Sequence, residues 1–501
     1  MHNINWPVTQ GIRAQAAIKK VILKCRARYV CVTQIALSIC GKVIIYFVLA
    51  ELKLMAHINC AQDSHAIAAP KQNPKPMTIL STHMFSCLLF TQRSAAAVAA
   101  VAAALCFGGP ALAQAPAPAT VASAAVAGTT LKIGLIGPFT GGSSDFGIPM
   151  RNGIALAVDE INAGGGYLGR KLELVVKDDQ GNPDVGLKMS QELAAEKVAV
   201  TFGFCNTGVA AKSLDVFQNA KIPLIIPCAT GTPLTARFPA AESYIFRTSA
   251  KDAIQVPFVV GDITRRGWTK VAVFADTSGY GEAGLKDIVA ALKAKNLEAV
   301  HIARFPVGVK DLSDELIAAR AAGANVIFSM TVGPENAVIA NGRKALGWKV
   351  PQVGAWTLSF PFFIDGGKDA AEGALMAQTF IAEPSNERRA SFLSAYARKY
   401  KPSKITVPVA AAQGYDAVYI LMYSLFGVRD GNLNGAAIKQ ALETKNRVYY
   451  GVVATYEQPF TKEDHDAVTP NMLVLGMVKN GAVTFAYPED AKRNLFVQRK
   501  Q

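Results

Sequence analysis

From Leu131 onward the chain alternates short apolar runs with longer segments whose apolar residues recur at helical spacing. Leu131-Lys132-Ile133-Gly134-Leu135-Ile136-Gly137 is short and bounded by Gly and Pro, the pattern of a buried parallel strand. A Gly/Ser-rich loop, 140–147, follows. Ile154, Ala157, Val158 and Ile161 then mark a helix that Gly164-Gly165-Gly166 stops. A second strand, 172–176, ends at Asp178-Asp179. This is a βαβ unit with a polar loop at the carboxyl end of its first strand, where open α/β sheets bind small ligands.

The rhythm continues. It predicts helices over 184–195 and 208–219 and strands over 198–202 and 223–227. A second series starts at Trp268, with strands over 270–274, 299–305, 326–330 and 351–355. Helices are expected over 280–295, 312–322 and 335–346. Two βα series imply two lobes of similar architecture, each around a parallel sheet.

Composition changes this picture mainly ahead of residue 114. The 501-residue chain carries a formal net charge of +15, which alone would suggest a nucleic-acid partner. Residues 1–113 hold 11 Lys/Arg against 2 Asp/Glu, so most of that charge precedes the βα series and no nucleic-acid partner is expected. Residues 84–113 read as a signal peptide: Arg93, an apolar run 95–107, Gly108-Gly109-Pro110, then the small-x-small site Ala111-Leu112-Ala113. Cleavage there leaves Gln114 first, followed by an Ala/Pro-rich lead-in over 114–128. A lipoprotein acylated at Cys106 is disfavoured by Leu105 before it. Residues 1–83 are expected to be a misassigned or disordered leader, with translation starting at Met77 or Met84. The rival, a membrane anchor over 30–54, would bury Lys42 at a cost of roughly 3 kcal/mol.

The ordered run Ile133-Gly134 to Pro138-Phe139-Thr140-Gly141, Asp159-Glu160-Ile161-Asn162-Ala163-Gly164-Gly165 and Asp178-Asp179 resembles the start of the leucine/isoleucine/valine-binding family of periplasmic solute-binding proteins. The resemblance extends over about 130–501. It implies the type I periplasmic binding protein fold: two doubly wound parallel-sheet α/β lobes joined by a three-crossover hinge. The crossovers are expected near 248–252, 378–382 and 452–456. Lobe one would be 129–249 plus 380–452, and lobe two 250–379 plus 453–501. It further implies a monomer that closes on a small-molecule carboxylate in the periplasm and presents it to the membrane permease of an ABC importer.

The candidate ligand residues lie at strand ends. In lobe one they are Ser143, Ser144 and Phe146 in the first βα loop, Asn206 and Thr207 at a helix start, and Cys228, Ala229 and Thr230 in the next loop. A helix amino terminus offers N–H groups and partial positive charge to a carboxylate. In lobe two they are Asp252, Tyr280, Val332, Trp356 and Thr357. Each polar member could equally be a loop or cap residue. The chain departs from the family twice. Trp356 stands where amino-acid-binding members carry an acid for the ammonium, and Val332 where they carry Tyr. An aromatic or apolar carboxylate therefore competes with a branched-chain-type amino acid as the ligand, unless Trp356 simply packs into the hinge.

Six of the eight Cys precede residue 114, leaving Cys205 and Cys228, each just past a strand end. They are expected either to form a disulfide or to be two buried thiols; the bridge known in the family joins other loops, one of whose positions is Gly181 here. No Cys/His cluster has metal-ligand spacing, and no cofactor is expected. The chain shows no phosphate-binding loop, dinucleotide fingerprint or Gly-x-Ser-x-Gly, so catalysis is not expected. The alternative function is a ligand-sensing regulator of the amide-responsive or lactose-repressor-like type on the same fold. The export signal argues against it, and residues 1–113 offer no helix-turn-helix.

Overall fold

The computed structural model describes residues 130–492 except 403, 429–430 and 445–446, together with the backbone of 498–499. The leader, signal peptide and lead-in fall outside the described residues.

The first sheet has five parallel strands in the order β2-β1-β3-β4-β5. These are β1 (Leu131–Gly137), β2 (Leu172–Asp178), β3 (Val200–Phe202), β4 (Leu224–Ile226) and β5 (Ile245–Arg247). Between them run α1 (Ser144–Ala163), α2 (Pro183–Ala195), α3 (Thr207–Ala220) and the short α4 (Pro233–Ala236). Local chemistry sets their starts. Pro183 opens α2, and the Asn182 side chain accepts from the backbone N–H of Asp184 at 2.8 Å and Val185 at 3.3 Å.

The chain then passes to a second sheet. Its first members are α5 (Asp252–Arg265), β6 (Val271–Asp276), α6 (Gly279–Lys293), β7 (Ala299–Phe305), α7 (Ser313–Ala321) and β8 (Val326–Met330). They are followed by α8 (Glu335–Ala345), β9 (Gln352–Gly354), a 3₁₀ turn Trp356–Ser359, α9 (Pro361–Gly367) and β10 (Leu375–Gln378). Strands β10-β9-β8-β6-β7 are parallel.

After β10 the chain returns to the first lobe as α10 (Glu387–Tyr400), α11 (Pro408–Leu425), α12 (Gly435–Glu443), β11 (Tyr449–Tyr450) and β12 (Thr455–Gln458). Helix α11 is buried almost all round and packs along α1. Asp416 in its middle is fully buried. It accepts from Tyr449 Oη and from the N–H groups of Val452 and Val453, each at 2.8 Å, which fixes the following segment to the helix.

The third crossover comes later than 452–456. Residues 465–467 still add to the edge of the first sheet: Arg247 N donates to His465 O at 2.9 Å and Ala467 N to Arg247 O at 2.8 Å. Only at β13 (Val474–Lys479), antiparallel to β10 and followed by β14 (Ala482–Phe485), does the chain rejoin the second sheet. The pattern around 453 could not show this, because the pairing spans some 220 residues and turns on one buried ion pair, Arg247–Asp466.

Helices α1 and α11 approach at glycine. A Cβ at Gly153 would lie 2.0 Å from the carbonyl oxygen of Ala411, a backbone atom that cannot rotate away. Gly153→Ala should force the helices apart and lower stability by about 3 kcal/mol, the upper part of the usual overpacking range. A urea midpoint unchanged from wild type would contradict this.

Candidate functional site

The carboxyl ends of the strands of both sheets meet in a cleft whose walls share one continuous apolar cluster. Within it a cavity of about 240 Å³ is lined by Phe146, Cys205, Thr207, Thr230, Tyr280, Val332, Trp356, Thr357 and Phe360. The walls lie so close together that a ligand larger than a water molecule requires them to separate.

The lining is specific in its chemistry. The Thr230, Tyr280 and Thr357 hydroxyls and the Trp356 indole N–H are buried and have no hydrogen-bond partner. Thr230 faces Asp252 and Tyr280 faces Thr357, but neither contact reaches hydrogen-bonding geometry. Thr207 Oγ1 accepts from Gly231 N–H at 3.2 Å, which leaves its own proton free to donate. Every polar side chain here can donate, and no carboxylate lines the cavity. Burial pushes the Tyr280 phenol well above its ordinary value, so it keeps its proton.

The apolar part is aromatic. Phe146 and Phe360 stack with centroids 5.0 Å apart and planes at 27°. Trp356 meets Phe360 edge-on at 4.8 Å and 88°. The backbone of Trp356 is fixed separately: its N–H donates to Gln255 Oε1 at 3.1 Å, and its carbonyl accepts from Ser359 Oγ at 2.7 Å and Gln378 Nε2 at 3.3 Å.

Of the residues singled out in the sequence, Phe146, Thr207, Thr230, Tyr280, Val332, Trp356 and Thr357 come together around this cavity. Ser143, Ser144, Asn206, Cys228, Ala229 and Asp252 do not line it. Ser143 and Asn206 bond to each other, Asn206 Nδ2 donating to Ser143 Oγ at 3.1 Å. Ser144 and Phe146 lie in the first turn of α1 rather than in a loop, because the helix begins at Ser144. Cys228 and Ala229 are fully buried behind the loop. Asp252 opens α5 behind Thr230, and burial pushes its carboxyl up to about 8. Burial thus disfavours the charged form of Asp252, which lessens its repulsion of an anion in the cavity.

Phe360 was not singled out. It follows the 3₁₀ turn, four residues beyond Trp356, and only its aromatic character next to Pro361 marked it.

Cys205 and Cys228 are bridged, with Cα atoms 4.6 Å apart. The bridge joins the ends of β3 and β4, and a loop of this size contributes about 3 kcal/mol. Among the described residues no group of His, Cys, Asp and Glu could hold a metal ion, and no helix is long and apolar enough to cross a membrane.

Comparison with known proteins places this architecture. The family model for the periplasmic binding protein matches residues 130–482. Leu/Ile/Val-binding protein homolog 3 of Brucella melitensis is 31% identical over 260 residues, 51% of this chain and 69% of that protein. A leucine-binding protein from Thermotoga maritima superposes with a TM-score of 0.63 at 24% identity, covering 72% of this chain and 100% of that one. An ABC-transporter solute-binding protein from Rhodopseudomonas palustris BisB5, in complex with 3,4-dihydroxybenzoic acid, superposes with a TM-score of 0.60 at 23% identity, covering 71% and 95%. With two parallel-sheet lobes, three crossovers and a family match over 130–482, the chain belongs to the periplasmic binding protein family and has the type I fold.

Proposed function

We propose that this protein is an extracytoplasmic solute-binding protein that captures a small carboxylate with an aromatic or apolar body and delivers it, by hinge closure, to an ABC importer. The observation that carries the reading is the lining of the cleft. Three hydroxyls and an indole N–H lack partners there, and no acid lines the cavity. Buried donors without partners are costly, and a carboxylate with about four acceptor sites relieves them. Phe146, Phe360 and Trp356 then receive the apolar body.

An α-amino acid fits less well, because no carboxylate lines the cavity to pair with its ammonium, which is left to hydroxyl oxygens and aromatic faces. The names of Leu/Ile/Val-binding relatives favour that second reading. The aromatic acid bound to one neighbour of the same fold is compatible with the first.

The ligand residues are those around the cavity, joined by Phe360. The lobes are 130–247 plus 380–467, and 252–378 plus 474–492, with the protein acting as a monomer. Export would follow cleavage between Ala113 and Gln114. A thermal-shift screen tests the ligand class: 4-hydroxybenzoate and 4-methylpentanoate should raise the melting temperature, and a response confined to amino acids would reject the reading.

A further inference from the structure

Arg247 lies outside the cavity, yet it organises the loop that faces it. It is the last residue of β5 and fully buried. Its Nη1 donates to two successive carbonyls of the ligand loop, Thr230 O at 3.0 Å and Gly231 O at 2.8 Å. The neighbouring carbonyl, Ala229 O, accepts from Ser249 Oγ at 2.7 Å, and Thr230 O also accepts from Asp252 N–H at 2.9 Å. Three consecutive carbonyls are thus occupied by donors behind the loop. A carbonyl turned into the cleft would set a partial negative charge against a carboxylate. With all three held back, the loop offers the cavity the Thr230 hydroxyl, and Gly231 N–H holds the oxygen of Thr207.

The same guanidinium reaches the hinge. Its Nε donates to Asp466 Oδ1 at 2.6 Å and its Nη2 to Thr235 Oγ1 at 2.7 Å. Asp466 also pairs with Lys251 at 2.9 Å, just before α5. Asp466 lies on the segment that runs from the edge of β5 into the third crossover, and Lys251 lies on the first. Arg247 therefore joins the ligand loop to the segment that carries Asp466, and Asp466 in turn contacts Lys251 on the first crossover.

We propose that Arg247 is a positioning residue for ligand capture: it sets the polarity of the 229–231 loop toward an anion and couples that loop, through Asp466, to the interlobe connections. This rests on the carboxylate reading of the cleft. A buried guanidinium must satisfy its remaining N–H groups in any case, so what distinguishes positioning from a purely structural role is the effect on ligand affinity in folded protein. Lysine keeps the charge but cannot reach two carbonyls, Thr235 and Asp466 together.

The test compares Arg247→Lys, Asp466→Asn and Thr230→Val by calorimetric titration with 4-hydroxybenzoate and by thermal melting. Arg247→Lys should weaken binding about 30-fold, the scale of a lost charge-assisted hydrogen bond. It should add little further loss in a Thr230→Val background, because both act through one loop. Asp466→Asn retains the volume and the carbonyl contacts, so its loss should be smaller. Folded Arg247→Lys protein with wild-type affinity, or losses that add fully, would overturn the proposal, as would a larger loss in Asp466→Asn. If Arg247→Lys does not fold, Asp466→Asn in the wild-type and Thr230→Val backgrounds decides by the same additivity. If wild-type protein binds neither 4-hydroxybenzoate nor 4-methylpentanoate, the carboxylate reading fails by itself. The crystal structure of Arg247→Lys, or of Asp466→Asn, then judges the positioning claim: the Thr230 or Gly231 carbonyl turned into the cleft supports it, and an unchanged loop overturns it.

Discussion

Trp356→Glu should invert the ligand preference of the cleft. The substitution puts a carboxylate among the Thr230, Tyr280 and Thr357 hydroxyls, at the end of the cavity that now holds an indole. A ligand carboxylate would then face a like charge in a site closed to water, whereas an ammonium would gain a partner. Close charge pairs that are desolvated are worth several kcal/mol, so 4-methylpentanoate should lose more than about 100-fold in affinity while leucine gains. Gln255 and Gln378 hold the backbone of residue 356 and the indole N–H gives up no hydrogen bond, so the cost to stability is the lost packing against Phe360 and the burial of a carboxylate, and thermal melting confirms that the variant is folded before titration. Trp356→Gln separates charge from volume: it removes the ring without adding an anion and should not improve leucine binding. Calorimetric titration of both variants with both ligands measures this. Equal behaviour of the Glu and Gln variants would show that the charge at 356 is irrelevant.

The second large effect is on stability against pH. Burial raises the carboxyl of Asp252 to about 8 and that of Asp179 to about 7. In both, the folded protein holds a proton that the unfolded chain releases above its ordinary carboxyl value. The unfolded state then binds fewer protons, so stability falls as pH rises through this range. Asp466 works in the opposite sense. Burial would raise its carboxyl, but the Arg247 and Lys251 charges hold it well below the usual range, so its contribution is lost only in strong acid. His465, lowered mainly by burial, costs stability only as pH drops below 6.5. The clean window is therefore pH 6.5–8. Going down that window should raise stability by about 2 kcal/mol from Asp252 alone, and by more with Asp179. Asp252→Asn should flatten most of this slope. Chemical denaturation at pH 6.5, 7.2 and 8 measures it. A wild-type stability that rises towards pH 8, or an Asn variant with the wild-type slope, would contradict the assignment.

Legibility in the sequence followed burial pattern. β1 and β8 are short runs buried on both faces, and the apolar pattern marks both over their full length. Helix α6 shows its polar side and a Ser278 cap that accepts from Gly281 N–H, so its start was readable to within a residue. Helix α11 is apolar nearly all round, with no stripe to mark its face, and the helices over 387–443 follow no βα rhythm. The third crossover was misplaced because Arg247 and Asp466 are 219 residues apart, beyond the reach of any local pattern. Strand-end positions pointed to Thr230, Tyr280 and Trp356, all of which line the cavity. They could not separate residues facing the cavity from those directly behind it, such as Cys228 and Asp252, because one turn of a loop decides between them. Phe360 was missed because a 3₁₀ turn carries it back onto Phe146, a return that strand-end counting does not foresee.

On the claim made here, the cleft accepts a carboxylate and offers an ammonium no acidic partner. L-Leucine and 4-methylpentanoate share a carboxylate and an isobutyl body and differ only in the α-ammonium. Calorimetric titration of the wild-type protein with this pair, at pH 7 in one buffer, tests the claim most directly. The account requires 4-methylpentanoate to bind at least tenfold more tightly than leucine, with lobe closure. Leucine binding tenfold more tightly than 4-methylpentanoate would contradict it and return the site to the amino-acid reading.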